Sequence, residues 1–293
     1  MSVTDPVTTP LEPVERRGGR HRRSGRVVRH LLLIGAAILA LYPVWFMVTT
    51  AFKERDQYLD DILGFPWPLT IGNFDEALHG GEFFTWLKNS AVFAGGAVIV
   101  ATGCAALAAF AIARMRFRGR DVFMSLSVAL MIVPPVVMMI PLFTLYVQFS
   151  MVSTYWGVII LYAGLTLPFS IYLLANFFRS IPRELFESAA MDGASHLRIL
   201  WKIVLPLSAP ALVTLVVVNA LWVWNELLIA LVFLPEEEKR TLMVGVTVFQ
   251  GRYNIDIPVT MAGMVLASIP MFLLYLFGQR YFIRGLTAGA VKG

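Results

Sequence analysis

Residues 180–206 read SIPRELFESAAMDGASHLRILWKIVLP, a charged and patterned segment between two long apolar runs at 155–178 and 209–234. Pro182 has the fixed φ suited to the first turn of a helix, and Glu184 follows near the positive end of the helix dipole. Gly193 is placed to end that helix and Ser195 to cap a second. In the second, Leu197, Leu200, Trp201 and Val204 recur at i, i+3, i+4 and i+7, while Arg198 and Lys202 share the other side. The segment thus predicts a helix, a glycine turn and an amphipathic helix leading into the next apolar run. One face of this unit suits a membrane domain. The other presents the short side chains of Ser188, Ala189 and Ala190 and the acids Glu187 and Asp192, a surface that a partner can approach closely. A helix that merely lies at the membrane interface is the plainer reading of the same periodicity.

Working outward, the chain has 293 residues, 58% apolar and 15% charged, with a mean hydropathy of +0.71, which excludes a lone soluble globule. Six stretches reach the roughly 20 uncharged residues that a bilayer-spanning helix needs: 30–51, 89–113, 122–149, 155–178, 209–234 and 259–279. Backbone groups in lipid must be satisfied internally, so these runs predict helices, and their length excludes the short alternating strands of a β-barrel. The expectation is an all-α membrane protein with six spans over residues 30–283, a basic disordered tail at 1–29, and a second tail at 284–293. The first run exceeds a signal-peptide core and has no small-residue cleavage site near its end, so it is expected to be retained. Pro43, Pro134, Pro135, Pro141, Pro168 and Pro270 interrupt the runs and predict kinks.

Lysine and arginine mark cytoplasmic loops. Segments 1–29, 114–121, 179–208 and 280–293 hold 18 of them, and the alternate segments 52–88, 150–154 and 235–258 hold 6. The bias predicts both termini in the cytoplasm. The arginine-rich start, abutting an apolar run, is read as a topology anchor meeting anionic lipid rather than as a nucleic-acid site.

The chain is poor in reactive groups. One cysteine, Cys104, and four scattered histidines give no disulfide framework and no metal-ligand spacing. No zinc-protease motif, carbonyl-filter sequence or phosphate-binding loop occurs, and Glu226 is the one ionisable candidate within the spans, where a proton or ion relay needs several. An enzyme is therefore a poor reading, and an autonomous channel or ion-coupled carrier is the rival from another class. The Glu226 carboxylate must face protein or a water-filled interface, and a bond to a neighbouring helix or partner suits it better than direct solute contact.

The 180–206 stretch resembles the signature loop of ABC importer permeases, E-A-A, three residues, G, nine residues, I-x-L-P. The matches are Glu187, Ala189, Gly193, Ile203, Leu205 and Pro206, with Ser188 standing where alanine is usual. Trp224-Asn225-Glu226 and the terminal GLTAGAVKG from Gly285 are similar to the carbohydrate-uptake branch, which contains the smaller permease of the maltose transporter. The resemblance implies a type I importer permease of a bacterial inner membrane that is not itself an enzyme and binds no cofactor. It pairs with a second permease, a dimeric ATPase that carries ATP and magnesium, and an extracytoplasmic solute-binding protein. It also implies that Glu187, Ser188, Ala189, Ala190, Asp192, Gly193 and Pro206 form the ATPase-coupling element.

By the same resemblance, Gly285, Leu286, Thr287, Gly289 and Lys292 contact the ATPase. The glycines and the lack of apolar periodicity argue for an extended tail ordered by that partner. Trp224, Asn225 and Glu226 are expected at the translocation path or the permease interface. Gln250, Arg252, Tyr253 and Asn254 form a polar and aromatic mixture in the 235–258 loop suited to a binding protein or sugar. The substrate implied is a sugar. A polyol, a glycerol phosphodiester or a phosphate ester stays open, since one chain supplies half a cavity at best.

Overall fold

With no solvent to bond the backbone of an apolar run, each run closes its hydrogen bonds internally, and every regular element among the described residues is helical. The computed structural model describes residues 19–79, 82–252 and 256–290. In chain order the helices are α1 (Gly19–Ala51), α2 (Arg55–Asp60), α3 (Gly72–His79), α4 (Phe83–Arg114), α5 (Arg120–Ile132), α6 (Pro135–Gln148) and α7 (Tyr155–Ser180). There follow α8 (Arg183–Met191), α9 (His196–Ile199), α10 (Leu205–Leu207), α11 (Ala209–Asn225), α12 (Leu228–Phe233), α13 (Leu242–Arg252) and α14 (Ile257–Ala290). A π turn, Leu200–Val204, joins α9 to α10, and a 3-10 turn, Glu237–Lys239, precedes α13. By internal packing the chain forms two units, one up to Met47 and one from Val48 onward.

Four helical stretches are long and apolar enough to cross a membrane alone: Val28–Ala51, Phe83–Arg114, Tyr155–Ser180 and Ile257–Gln279. Two bent pairs qualify only together. The expected span 122–149 is α5 and α6, meeting at 102°. The cause is the double proline. A residue before proline is driven out of the α region, and here two in succession are, Val133 (ψ 119°) before Pro134 and Pro134 (ψ 130°) before Pro135. Single prolines do less: Pro43, Pro141, Pro168 and Pro270 all lie inside continuous helices. The second pair, His196–Leu207 with α11, bends by 79° at Ser208. The expected span 209–234 is also interrupted, because α11 stops at Asn225.

Both tails differ from expectation. Helix α1 begins at Gly19, so residues 19–29 of the basic segment are helical rather than disordered; residues 1–18 lie outside the described residues. At the other end α14 continues through Gly285 to Ala290, where an extended segment was expected. In each case a formed helix is prolonged, which costs far less than nucleating one, so weak local periodicity does not stop it.

The core is built on α4 and α7. Ala97, Ala101, Ala105 and Ala109 recur every fourth residue along α4 and are all buried, which lets the two backbones approach closely. Lipid is as apolar as these side chains, so what favours the pair is contact density and a few polar links rather than escape from water. One end of the core gathers Phe83, Trp86, Phe93, Tyr162, Ile229 and Phe233. The other gathers Phe110, Leu174, Phe178, Leu200, Val204 and Leu215. A polar link, Asn219 Nδ2 donating to Ser170 Oγ at 2.9 Å, ties α11 to α7.

Candidate functional site

The α8–α9 unit has the local construction that its sequence predicts. At the end of α8, Gly193 N donates to Ala190 O (3.0 Å) and Ala194 N to Ala189 O (3.0 Å), the paired bonds of a Schellman cap, with Gly193 at φ +78°. Ser195 then starts α9, its hydroxyl accepting from Arg198 N at 3.4 Å. Phe186 and Ala189 turn inward against the core around Phe110 and Phe178. Glu187, Ser188, Ala190 and Asp192 are exposed, and Pro206 is exposed further on in α10.

The amphipathic face of the second helix is not the one the spacing predicts. Leu200 and Val204 are 1% and 0% exposed, but Leu197 and Trp201 are 60% and 65% exposed, and Ile199 takes the inward position instead. A π turn at Leu200–Val204 interrupts the α winding that the periodicity assumes. Its wider winding departs from 3.6 residues per turn, so the i+7 spacing does not carry across it.

Arg114, counted in the sequence only as a topology charge, clamps this unit to the membrane helices. Its guanidinium donates to the carbonyls of Phe178 and Ile181 at the end of α7 and lies 3.9 Å over the Phe186 ring of α8. A cation at a helix C-terminus meets unsatisfied carbonyls and the negative end of the dipole, and the stacked ring adds a cation–π contact. Movement of α8 is thereby linked through one side chain to α4 and α7.

At the other candidate cluster the helix break is made by Glu226. Its backbone is extended (ψ 124°). Oε1 accepts from Ile229 N at 2.9 Å, and Oε2 accepts from Ala230 N and from Tyr162 OH, each at 3.0 Å. The carboxylate therefore caps α12 and anchors it to α7. The three residues grouped in the sequence separate here. Trp224 is 4% exposed and donates Nε1–H to Ala267 O (3.1 Å), so it joins α11 to α14 inside the chain rather than lining a path or an interface. Asn225 is exposed and donates to Leu221 O at 2.8 Å, while Glu226 is half-buried.

On the far side of the core, Asn89 of α4 holds the connection before α13. Its Nδ2 donates to Glu238 O (2.8 Å) and Arg240 O (3.0 Å), its Oδ1 accepts from Tyr155 OH (2.7 Å), and the adjacent Ser90 Oγ accepts from Leu242 N (2.8 Å). Lys239 pairs with Glu236 at 2.8 Å and, by that hydrogen bond, holds its carboxyl below the usual carboxylate range. Gly245 lies against Trp86, where a Cβ would stand 2.1 Å from the ring. The 235–258 loop thus contains α13. Gln250 and Arg252 fall in the last turn of α13, and Tyr253 and Asn254 lie outside the described residues.

Residues 101–287 match the sequence profile described as "Binding-protein-dependent transport system inner membrane component". The chain belongs to that family. It is a multi-pass permease subunit of an ABC import system, and ATP hydrolysis belongs to a partner ATPase. The permease is 41% identical over 260 residues to the putative ABC transporter permease protein ORF2 of Caldicellulosiruptor sp. (strain Rt8B.4), covering 87% of this chain and 93% of the relative. It is 35% identical to the trehalose/maltose transport system permease protein MalG of Thermococcus litoralis, covering 90% and 97%. Among solved structures it is similar to a bacterial ABC transporter involved in import of the acidic polysaccharide alginate, with a TM-score of 0.79, 27% identity, and coverage of 94% of this chain and 100% of that one.

The residues of this permease that sequence reasoning missed are Arg114, Tyr162 and Asn89. Each acts on a backbone or side chain distant in sequence, 64 residues away for Tyr162 and Glu226 and 149 for Asn89 and Glu238. Only Asn89, a polar residue near the start of an apolar run, carried any local signal.

Proposed function

We propose that this permease is half of the transmembrane pathway of a carbohydrate importer, working with a second permease, a dimeric ATPase that binds ATP and magnesium, and an extracytoplasmic binding protein. The coupling element is α8 with its glycine turn: Glu187, Ser188, Ala190 and Asp192 face a groove of the ATPase, while Phe186 and Arg114 pass displacement to α4 and α7. ATPase closure draws the two coupling helices together and opens the path to the binding protein, and hydrolysis restores the inward-facing state. Both termini lie in the cytoplasm with α8, as the distribution of basic residues favours. The Gly285–Lys292 stretch meets the ATPase dimer, and the 250–254 stretch meets the binding protein.

The observation that carries this reading is a capped helix with one anchored aromatic side and one exposed side of small and acidic residues, joined to the ends of two membrane helices. The substrate class is supported by the relatives' names and by the Trp224-Asn225-Glu226 and GLTAGAVKG stretches. The test is Ser188→Cys in membranes containing the partner subunits. With a second cysteine placed in the ATPase groove and copper phenanthroline as oxidant, a disulfide crosslink that changes with ATP is expected; its absence, with the complex assembled, counts against the coupling assignment. Competition of uptake by neutral oligosaccharides and by glycerol phosphodiesters separates the two substrate classes, and inhibition by the sugars alone is expected.

A further inference from the structure

Between the end of α4, the start of α5 and the α8–α9 unit lies a cavity of 280 Å³ whose lining is predominantly basic. Arg114, Arg116, Arg120 and Arg183 line it together with His196, against a single lining carboxylate, Glu187. Arg114 spends its terminal nitrogen on the Phe178 and Ile181 carbonyls, and its Nε is buried without a hydrogen-bond partner. Arg120 Nε is also buried and unpartnered, standing 3.9 Å from Asp121 Oδ1, beyond hydrogen-bonding distance. Buried donors are normally satisfied, and converging cations repel one another in a medium less polar than water. Four guanidinium groups and an imidazole thus converge on one cavity, and two of the four keep an Nε without a hydrogen-bond partner.

We propose that this cavity binds a phosphate group. Phosphate fits the lining better than a lone carboxylate does, because its several acceptor oxygens can take the planar forks of more than one guanidinium at once. The cavity sits where two apolar helices end in a basic loop, and Phe117 and Val122, which line the adjoining hollow with Arg116 and Arg120, are exposed. Such a junction of basic pocket and apolar collar is the level at which an anionic lipid presents its headgroup. A bound phosphate would bridge α4, α5 and α8 and so stiffen the joint on which Arg114 acts. The inference concerns the cavity alone and does not depend on the carbohydrate assignment.

The test uses the importer complex purified with its partner subunits. In one arm, native mass spectrometry measures the phosphatidylglycerol and phosphatidylcholine retained through detergent exchange. In the other, inorganic phosphate is titrated into the delipidated complex by calorimetry. Wild type is expected to retain phosphatidylglycerol preferentially, and Arg116→Gln/Arg120→Gln to retain about tenfold less. Arg118→Gln, which lines only the neighbouring outer hollow, is expected to match wild type. Retention of lipid without phosphate affinity assigns the site to a headgroup, and arginine-dependent phosphate binding without lipid retention assigns it to the free anion; either result supports a phosphate site. Should the double variant fail to assemble, the exposed Arg116→Gln alone is expected to lose about threefold. Equal lipid retention in wild type and variant, with no arginine-dependent phosphate binding, overturns the proposal, as it would if an acidic surface of the ATPase filled the cavity.

Discussion

Glu226 shows how one side chain can end a membrane helix that neither proline nor glycine interrupts. Its two oxygens satisfy Ile229 N, Ala230 N and Tyr162 OH, so the carboxylate fastens α12 to α7. Truncation by Glu226→Ala leaves all three donors open and is expected to cost about 2 kcal/mol. Tyr162→Phe removes one of the three bonds and is expected to cost about 1 kcal/mol. Thermal unfolding in detergent checks both, and the double variant should lose less than the sum of the singles, because the two side chains share a bond. Additive losses would mean that the bond contributes nothing.

The proposed coupling element depends on a backbone conformation more than on any one contact. At φ +78°, Gly193 occupies the left-handed region, and a Cβ built there meets nothing within 4 Å. Substitution there acts through the backbone alone, at about 1–2 kcal/mol for an ordinary residue and less for asparagine. Uptake at matched expression should therefore fall in the order glycine, asparagine, valine, with Gly193→Val inserting normally but transporting nothing measurable. Wild-type uptake by Gly193→Val would break the link between the cap and coupling. The elbow between α5 and α6 has the opposite logic, since its 102° bend follows from two stacked proline restrictions. Pro135→Ala frees Pro134 to turn helical, and the bend should open, readable as a changed spin-label distance between the ends of α5 and α6.

At the scale of the whole molecule, the proposed orientation predicts that cysteines at Ala190 and Glu237, both exposed, label from opposite sides of the membrane. Glu237 is preferable to positions further along, because Gly245 is packed against Trp86. Labelling of both from one side would reverse the reading of the basic-residue bias. The C-terminal stretch belongs to this scale as well, since its proposed role needs the ATPase dimer. Deletion of 286–293 should leave insertion and pairing with the second permease intact yet lower ATP hydrolysis stimulated by loaded binding protein. Full stimulation in the truncated complex would remove the tail from the coupling path.

What the sequence alone determined is whatever depends on neighbours within a few residues. Run length dictated helices in lipid, Pro182, Gly193 and Ser195 dictated a capped helix and its successor, and the spacing from Glu187 to Pro206 carried the family likeness. The tertiary structure alone decided matters that need two distant segments or an accumulated angle. Leu197 and Trp201 lie outward, although their spacing marked them as core. Trp224 went into the core on a bond to a carbonyl 43 residues away, and Arg114 became a clamp because the end of α7 and Phe186 arrive beside it. Local backbone preference follows from covalent neighbours and is written in order along the chain. Which donor meets which acceptor depends on how whole helices cross, and in a membrane, where apolar surface is attracted no more to protein than to lipid, that choice rests on close packing and on a few polar bonds that no periodicity announces.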